Sequence, residues 1–154
     1  MRNDMAVETQ AKSVAEETVL TLTVAEQSCG ISVLSVRDVL GPQALTRIPL
    51  APAEVAGSLN LRGRIVTAID LRRRLGLPPA GEGLRPMSIV VEQGGELYSL
   101  LADQVGEVIP MPTDSILPNP PTLDAHWQAL SRGVHRQDES LIVMLDVDRV
   151  LALG

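Results

Sequence analysis

From Thr18 the chain alternates with a period of two: in TVLTLTVAE, Val19, Thr21 and Thr23 fall on one face and Leu20, Leu22 and Val24 on the other. That period, with so many β-branched residues, predicts a strand. EQSCG reads as a turn and GISVLSVRDVLG as a second, longer strand, with a bend near Val36 that shifts the phase. Pro42, Pro49 and Pro52 break the next segment, because proline cannot donate to a central ladder, and leave a short strand around residues 45–48. Residues 59–61 and 65–69 follow as strands around a tight turn at Arg62-Gly63, where glycine supplies the positive φ of a hairpin. Asp70 is placed to N-cap a short helix, LRRRL, which Gly76 and Pro78-Pro79 stop. Strand patterning resumes in SIVVEQ and ELYSLLADQVGEVI, divided by Gly94-Gly95. A Pro-rich connection and AHWQALSRG then lead to a last strand, SLIVMLD, and a final helical turn, VDRVLAL.

The pattern repeats internally. At an offset of 76, IVTAIDLRRRLGL lies beside LIVMLDVDRVLAL, so that Asp70 faces Asp146 and Arg73 faces Arg149. At an offset of 69, Val36-Arg37-Asp38-Val39 matches Val105-Gly106-Glu107-Val108, and at 70, Arg62-Gly63 matches Arg132-Gly133. Three matches in one order predict two similar β-units, a first barrel at about 18–78 and a second at about 87–154, joined by a linker at 78–86. Closure into barrels removes the edges that such small open sheets would expose. Neither unit buries much alone, which predicts a shared aliphatic interface with a groove along it.

Composition narrows what such a fold can do. A chain of 154 residues buries roughly 70% of its unfolded surface, so a true core is available. Apolar residues make up 45% of it but aromatics only 1%, with no Phe, so Val, Leu, Ile and Ala fill the core and aromatic stacking is not the main binding device. The lone Cys29 rules out an internal disulfide, fits a reducing cytoplasm and reads as a small buried hydrophobe. The N-terminal stretch has no apolar signal region, and no apolar run approaches the roughly 20 residues of a spanning helix. The expectation is a soluble, cytoplasmic protein with residues 1–17 as a disordered tail.

Enzyme chemistry finds little footing. The single lysine, Lys12, lies in the tail, so there is no P-loop, and Gly81-Glu82-Gly83 lacks the third glycine and the strand-to-helix setting of a dinucleotide site. No G-x-S-x-G elbow occurs. His126 and His135 match no zinc spacing and fall where loop is predicted. The repeated Asp70 and Asp146 raise a shared-proton dyad, but each heads a helical turn, and capping accounts for both. No catalytic residue, cofactor or metal is expected.

Arg62, Arg64, Arg72, Arg73 and Arg74 are five of thirteen cations in a chain of net charge -6. A single-strand nucleic-acid barrel is the rival they suggest, but such sites pair a positive groove with aromatic platforms, which this chain lacks. Three consecutive arginines on a helical turn fan out, so Arg72, Arg73 and Arg74 read as a solvated helix surface near the negative end of its dipole. Arg62 differs, because a hairpin tip beside Gly63 holds it. It reads either as a solvated turn or as a docking residue with a fixed fork for a carboxylate.

The run TRIPLAPAEVAGSLNLRGRIVTAIDLRRRLGL resembles the central signature of CheW-like domains, and the likeness extends through CGISVLSVRDVLG, SLLADQVGEVI and GVHRQDESLIVMLDVDRVLAL. It covers about residues 18–153. The resemblance implies an all-β fold of two intertwined five-stranded SH3-like barrels with short helical turns. It implies a stand-alone, non-enzymatic adaptor in bacterial chemotaxis that couples methyl-accepting chemoreceptors to a CheA-type histidine kinase. In that family the adaptor meets the kinase's own CheW-like regulatory domain barrel against barrel, and the receptor's hairpin tip packs at the groove between barrels. Neither nucleic acid nor direct membrane insertion is implied, only recruitment to receptor arrays through protein partners. Carried over by position, Arg62 is the coupling arginine of the N-L-R-G turn, which Asn60 and Gly63 shape, and Gly57 is the glycine before it. Val36, Val39, Val105 and Val108 fall where the family lines its receptor groove, although apolar period alone reads them as barrel core. Cys29 stands where the family often has an aromatic residue, and Val66-Thr67-Ala68-Ile69-Asp70-Leu71 departs from the common V-P-V-I-D-L; both bear on partner specificity.

Overall fold

The computed structural model describes residues 15–153. The first alternating stretches form β1 (Glu16–Val24), β2 (Gln27–Ser32), β3 (Val36–Leu40), β4 (Val55–Leu61) and β5 (Arg64–Asp70), followed by helix α1 (Leu71–Arg74). The second half supplies β6 (Met87–Gln93), β7 (Glu96–Ala102), β8 (Gln104–Pro112), β9 (Ile116–Leu117), helix α2 (Ala125–Leu130), β10 (Ser131–Gln137), β11 (Ser140–Leu145) and helix α3 (Val147–Leu151). Glu16 and Glu17 belong to β1, so the expected tail gives up its last residues to the sheet. Residues 1–14 of that tail lie outside the described residues.

The strands make two SH3-like sheets, in the orders β8-β1-β2-β11-β10-β9 and β3-β6-β7-β5-β4. Residues 78–86 divide the two sequence repeats but not the two barrels. Each repeat places its first two strands, β1-β2 or β6-β7, in the sheet built by the rest of the other repeat. The chain therefore changes sheets twice, through the short 3-10 turn Val33–Ser35 and at Asp103. The expected long strands GISVLSVRDVLG and ELYSLLADQVGEVI are each cut at one of these crossovers, the first beside the bend foreseen at Val36.

Burial explains the exchange. In β6, Ile89 and Val91 face the main core while Val90 faces a smaller one; in β7, Leu100 and Ala102 face the former and Leu97 and Leu101 the latter. A strand apolar on both faces needs two cores, one inside its own barrel and one between barrels. The large cluster takes Leu20, Leu22 and Ile31 from one sheet and Ile69, Ile89 and Leu100 from the other, so it is the shared aliphatic interface. The private interiors are small, with Val19, Met111, Ile142 and Met144 filling one and Leu59, Val66, Ala68, Val90, Leu97 and Leu101 the other.

A pseudo-two-fold relates the sheets through their registers. Thr67 on β5 pairs in parallel with Tyr98 on β7, as Val143 on β11 pairs with Cys29 on β2. Gly57 pairs with Ala68 after a bulge in β4, as Gly133 pairs with Met144 after a bulge in β10. These partners stand 76 residues apart in β4, β5, β10 and β11, and 69 apart in the exchanged strands. Two of the three matches read from sequence agree with this registration; the third does not. Gly133 is the counterpart of Gly57, so Arg132-Gly133 is no echo of Arg62-Gly63. The strand expected at 45–48 is a single bridge, Thr46 to Ser58, in the place that β9 fills beside Val134 in the other barrel. The histidines are not in loops, since His126 is in α2 and His135 in β10.

Candidate partner-binding site

The β4–β5 hairpin closes over two residues that both take positive φ, Arg62 at 52° and Gly63 at 85°. The Asn60 side chain accepts the Gly63 N–H at 2.9 Å, which fixes the turn from within. The Arg62 side chain is 79% exposed and reaches Asp38 on β3 at 3.5 Å. An ion pair so exposed contributes only about 0–1 kcal/mol, so it orients the guanidinium more than it stabilises the fold. Arg37 pairs with Glu92 at 3.0 Å nearby, and a shallow depression lies among Arg37, Asp38, Leu61, Arg62, Arg64 and Glu92.

The remaining predicted residues separate by burial. Val36 and Val105 are half-buried against the shared core, whereas Val39 and Val108 are exposed at 37% and 54%. Strands β3 and β8, which carry them, are the terminal strands of the two sheet orders. Arg62, Asn60, Gly63, Val36 and Val39 thus belong to one sheet, joined through Asp38, and Val105 and Val108 to the other. Gly57 has a packing reason of its own: at φ 152°, a Cβ there would lie 2.7 Å from the Thr46 carbonyl oxygen. Sequence reasoning passed over Asp38, whose only signal was its place between Val36 and Val39.

The helical arginines are not a solvated trio. Arg72 makes a two-pronged contact with Asp103, Nε to Oδ1 at 3.0 Å and Nη2 to Oδ2 at 2.7 Å. Arg74 donates to the carbonyls of Arg149, Val150 and Ala152 at 2.8–2.9 Å, so one helix's side chain satisfies the last turn of another. Arg73 alone of the three is exposed. Arg72 and Arg74 are thus committed to partners within the fold and are not joined with Arg62 in one positive patch.

Asp70 accepts the backbone N–H groups of Arg72 and Arg73, and Asp146 that of Arg149, so each carboxylate is occupied as a cap. Among the described residues no group of His, Cys, Asp or Glu is arranged to hold a metal ion. Cys29 is buried in the shared core; desolvation, with a smaller contribution from Asp103, pushes its thiol up to about 12, where it is inert at neutral pH. No helix of the described residues is long and apolar enough to cross a membrane.

The CheW-like domain model matches residues 18–153. The chain belongs to the CheW-like domain family. It is 25% identical over 148 residues to the probable chemotaxis protein CheW of Rhizobium etli, covering 96% of each chain. It is 30% identical over 152 residues to the protein FrzA of Myxococcus xanthus, covering 98% of this chain and 94% of that one. Among solved structures it is similar to the scaffolding protein TtCheW of Thermoanaerobacter tengcongensis, with a TM-score of 0.79 and 30% identity over 91% of this chain and 95% of that one.

Proposed function

We propose that this protein is a non-enzymatic chemotaxis scaffold that couples chemoreceptors to a CheA-type histidine kinase. The observation that carries the reading is the match to the CheW-like domain along the whole described chain, together with an Arg62 that its turn holds rigidly in solvent. The kinase's CheW-like regulatory domain docks barrel against barrel, and the receptor's hairpin tip packs against Val36, Val39, Val105 and Val108. Arg62 offers its fork to a carboxylate or a helix end on a partner, and Asp38 holds it ready at little energetic cost. The protein works in the cytoplasm and reaches the receptor arrays through these contacts. Its output is a bias between conformational states, which requires that its interfaces respond to receptor state.

The test is reconstitution of receptor, kinase and this protein. The purified protein should retain the kinase's regulatory domain in a pull-down. Arg62→Glu should reduce receptor control of kinase activity by about tenfold, equivalent to about 1.4 kcal/mol of coupling, with circular dichroism unchanged. Full receptor control in that variant would remove Arg62 from the coupling role.

A further inference from the structure

The two crossovers between the sheets are related by the pseudo-two-fold but are secured differently. At the β7–β8 crossover, Asp103 accepts from Nε and Nη2 of Arg72 on α1, at 3.0 and 2.7 Å. Its Oδ2 also accepts the Ala25 N–H in the β1–β2 turn at 2.8 Å, and its own N–H donates to the Thr23 carbonyl at 2.9 Å. Arg72 Nη1 donates to the Pro78 carbonyl at 3.1 Å, which anchors the guanidinium from the linker side. Both side chains are largely shielded, at 18% and 13% exposure. Hydrogen bonding from Arg72 holds the Asp103 carboxyl below its usual range, so the pair is ionised at neutral pH.

One carboxylate therefore joins helix α1, which continues β5 of one sheet, to the first hairpin of the other, at the residue where the chain changes sheets. Two residues later comes Val105. By the same registration, Asp103 corresponds to Leu34 and Arg72 to Asp148. Leu34 is 83% exposed, and Asp148 accepts from Gln93 instead, at 3.0 Å. An apolar side chain and an acid cannot make the clamp, so the Val33–Ser35 crossover has no counterpart of it among the described residues. Arg74 also ties α1 to α3, but it touches neither crossover.

We infer that Arg72 and Asp103 are a positioning pair that fixes how β8 sits relative to β3, and so the bearing of Val105 and Val108 on Val36 and Val39. The second clause rests on the receptor reading above; the first does not. Breaking a shielded ion pair at one partner leaves the other charge uncompensated, and the single strand at Asp103 is then restrained only by its backbone. The barrels lose their common reference at that crossover while their private interiors stay intact.

The test uses the full chain with spin labels on Glu96→Cys and Glu139→Cys, in hairpins of opposite sheets; the buried Cys29 does not compete for label. Pulsed electron resonance should give one narrow distance distribution in the parent and a broad one in Asp103→Asn. Asp103→Glu, which keeps a carboxylate for both Arg72 and the Ala25 N–H, should stay markedly narrower than Asp103→Asn, which a general loss of stability on substitution would not do. In unlabelled protein, Asp103→Asn should weaken binding of a receptor hairpin fragment by about tenfold, an order typical of coupling energies. An equally narrow distribution in Asp103→Asn overturns the positioning role, whatever binding does. A broad distribution with full receptor affinity upholds the role and overturns its link to the four valines, and with it the groove reading. If Asp103→Asn does not fold, Arg72→Gln, which removes both the charge and the fork, takes its place, and an unbroadened distribution there is equally fatal.

Discussion

The β4–β5 and β10–β11 hairpins are one device built twice, and they differ at the tip. Each opens with a bulge and a glycine held against a neighbouring carbonyl, Gly57 on Thr46 and Gly133 on Leu117. Each turns through a residue of positive φ, Arg62 at 52° and Asp138 at 55°, though only Arg62 is followed by a second, Gly63 at 85°, so corresponding positions present a cation on one barrel and an acid on the other. The glycines are repeated because the fold requires them in both places. The tips are not repeated because nothing in the fold requires either charge. An unforced difference between two corresponding places is where a partner's demands can be read, and the proposed docking role of Arg62 is one such reading. The crossovers repeat the lesson with Asp103 and Leu34.

If the barrels are equal halves of one unit, the core between them should matter more than either interior. Leu100→Ala, in the shared cluster and fully buried, should cost toward the upper end of the 2–5 kcal/mol typical of such truncations. Leu59→Ala, in a private interior and 7% exposed, should fall toward the lower end. Urea titration of both should show a single transition at an unchanged slope. Two separable transitions would mean that the barrels are independent after all.

The glycine comparison is sharper and smaller. A Cβ would stand 2.7 Å from a backbone oxygen at Gly57 and 2.6 Å at Gly133, so Gly57→Ala and Gly133→Ala should cost the same, about 1–3 kcal/mol, within about half a kcal/mol of each other. Gly63→Ala meets no atom within 4 Å and should lose only the preference for φ 85°, about 1 kcal/mol. Thermal melts decide it. A large gap between Gly57→Ala and Gly133→Ala would show that the registration overstates their likeness.

Strands with clean alternation or long apolar runs, β1, β5, β6 and β11, were legible in the sequence, as were both Asp caps and the turn at 62–63. Strand β10 was not, because SRGVHRQ buries only Ser131, Gly133 and Val134 and turns its charges outward, leaving no period-two apolar signal. The exchange of strands was invisible for a related reason: two-faced burial announces that a strand has two neighbouring cores without saying which. Of the candidate site, the tip and the valines are proposed from the signature, but only burial separates Val39 and Val108 from Val36 and Val105. Arg72 and Asp103 lie 31 residues apart, and the helix that hides Arg72 while exposing Arg73 gave no sign in a run of three arginines.

The smallest effect tests the turns next to the clamp. The β6–β7 turn uses Gly94 and Gly95 at φ 61° and 82°, where its counterpart β1–β2 uses Ala25 and Glu26 at 50° and 69°. A left-handed conformation costs a residue with a Cβ about 1–2 kcal/mol. The β1–β2 turn accepts that strain at the residue whose N–H Asp103 holds at 2.8 Å. Ala25→Gly relieves the strain, and the added freedom of the unfolded chain offsets about 0.4–1 kcal/mol of the gain, so the net should be a stabilisation of about half a kcal/mol, with Gly94→Ala destabilising by a similar amount in the mirrored turn. In the Asp103→Asn background the acceptor on Ala25 loses its charge and the strained turn is held less firmly, so relaxing it with Ala25→Gly should help more there than in the parent. A double-mutant cycle measures that difference. A coupling of zero would mean that the Ala25 turn keeps its shape without Asp103, and that the clamp ends at Arg72.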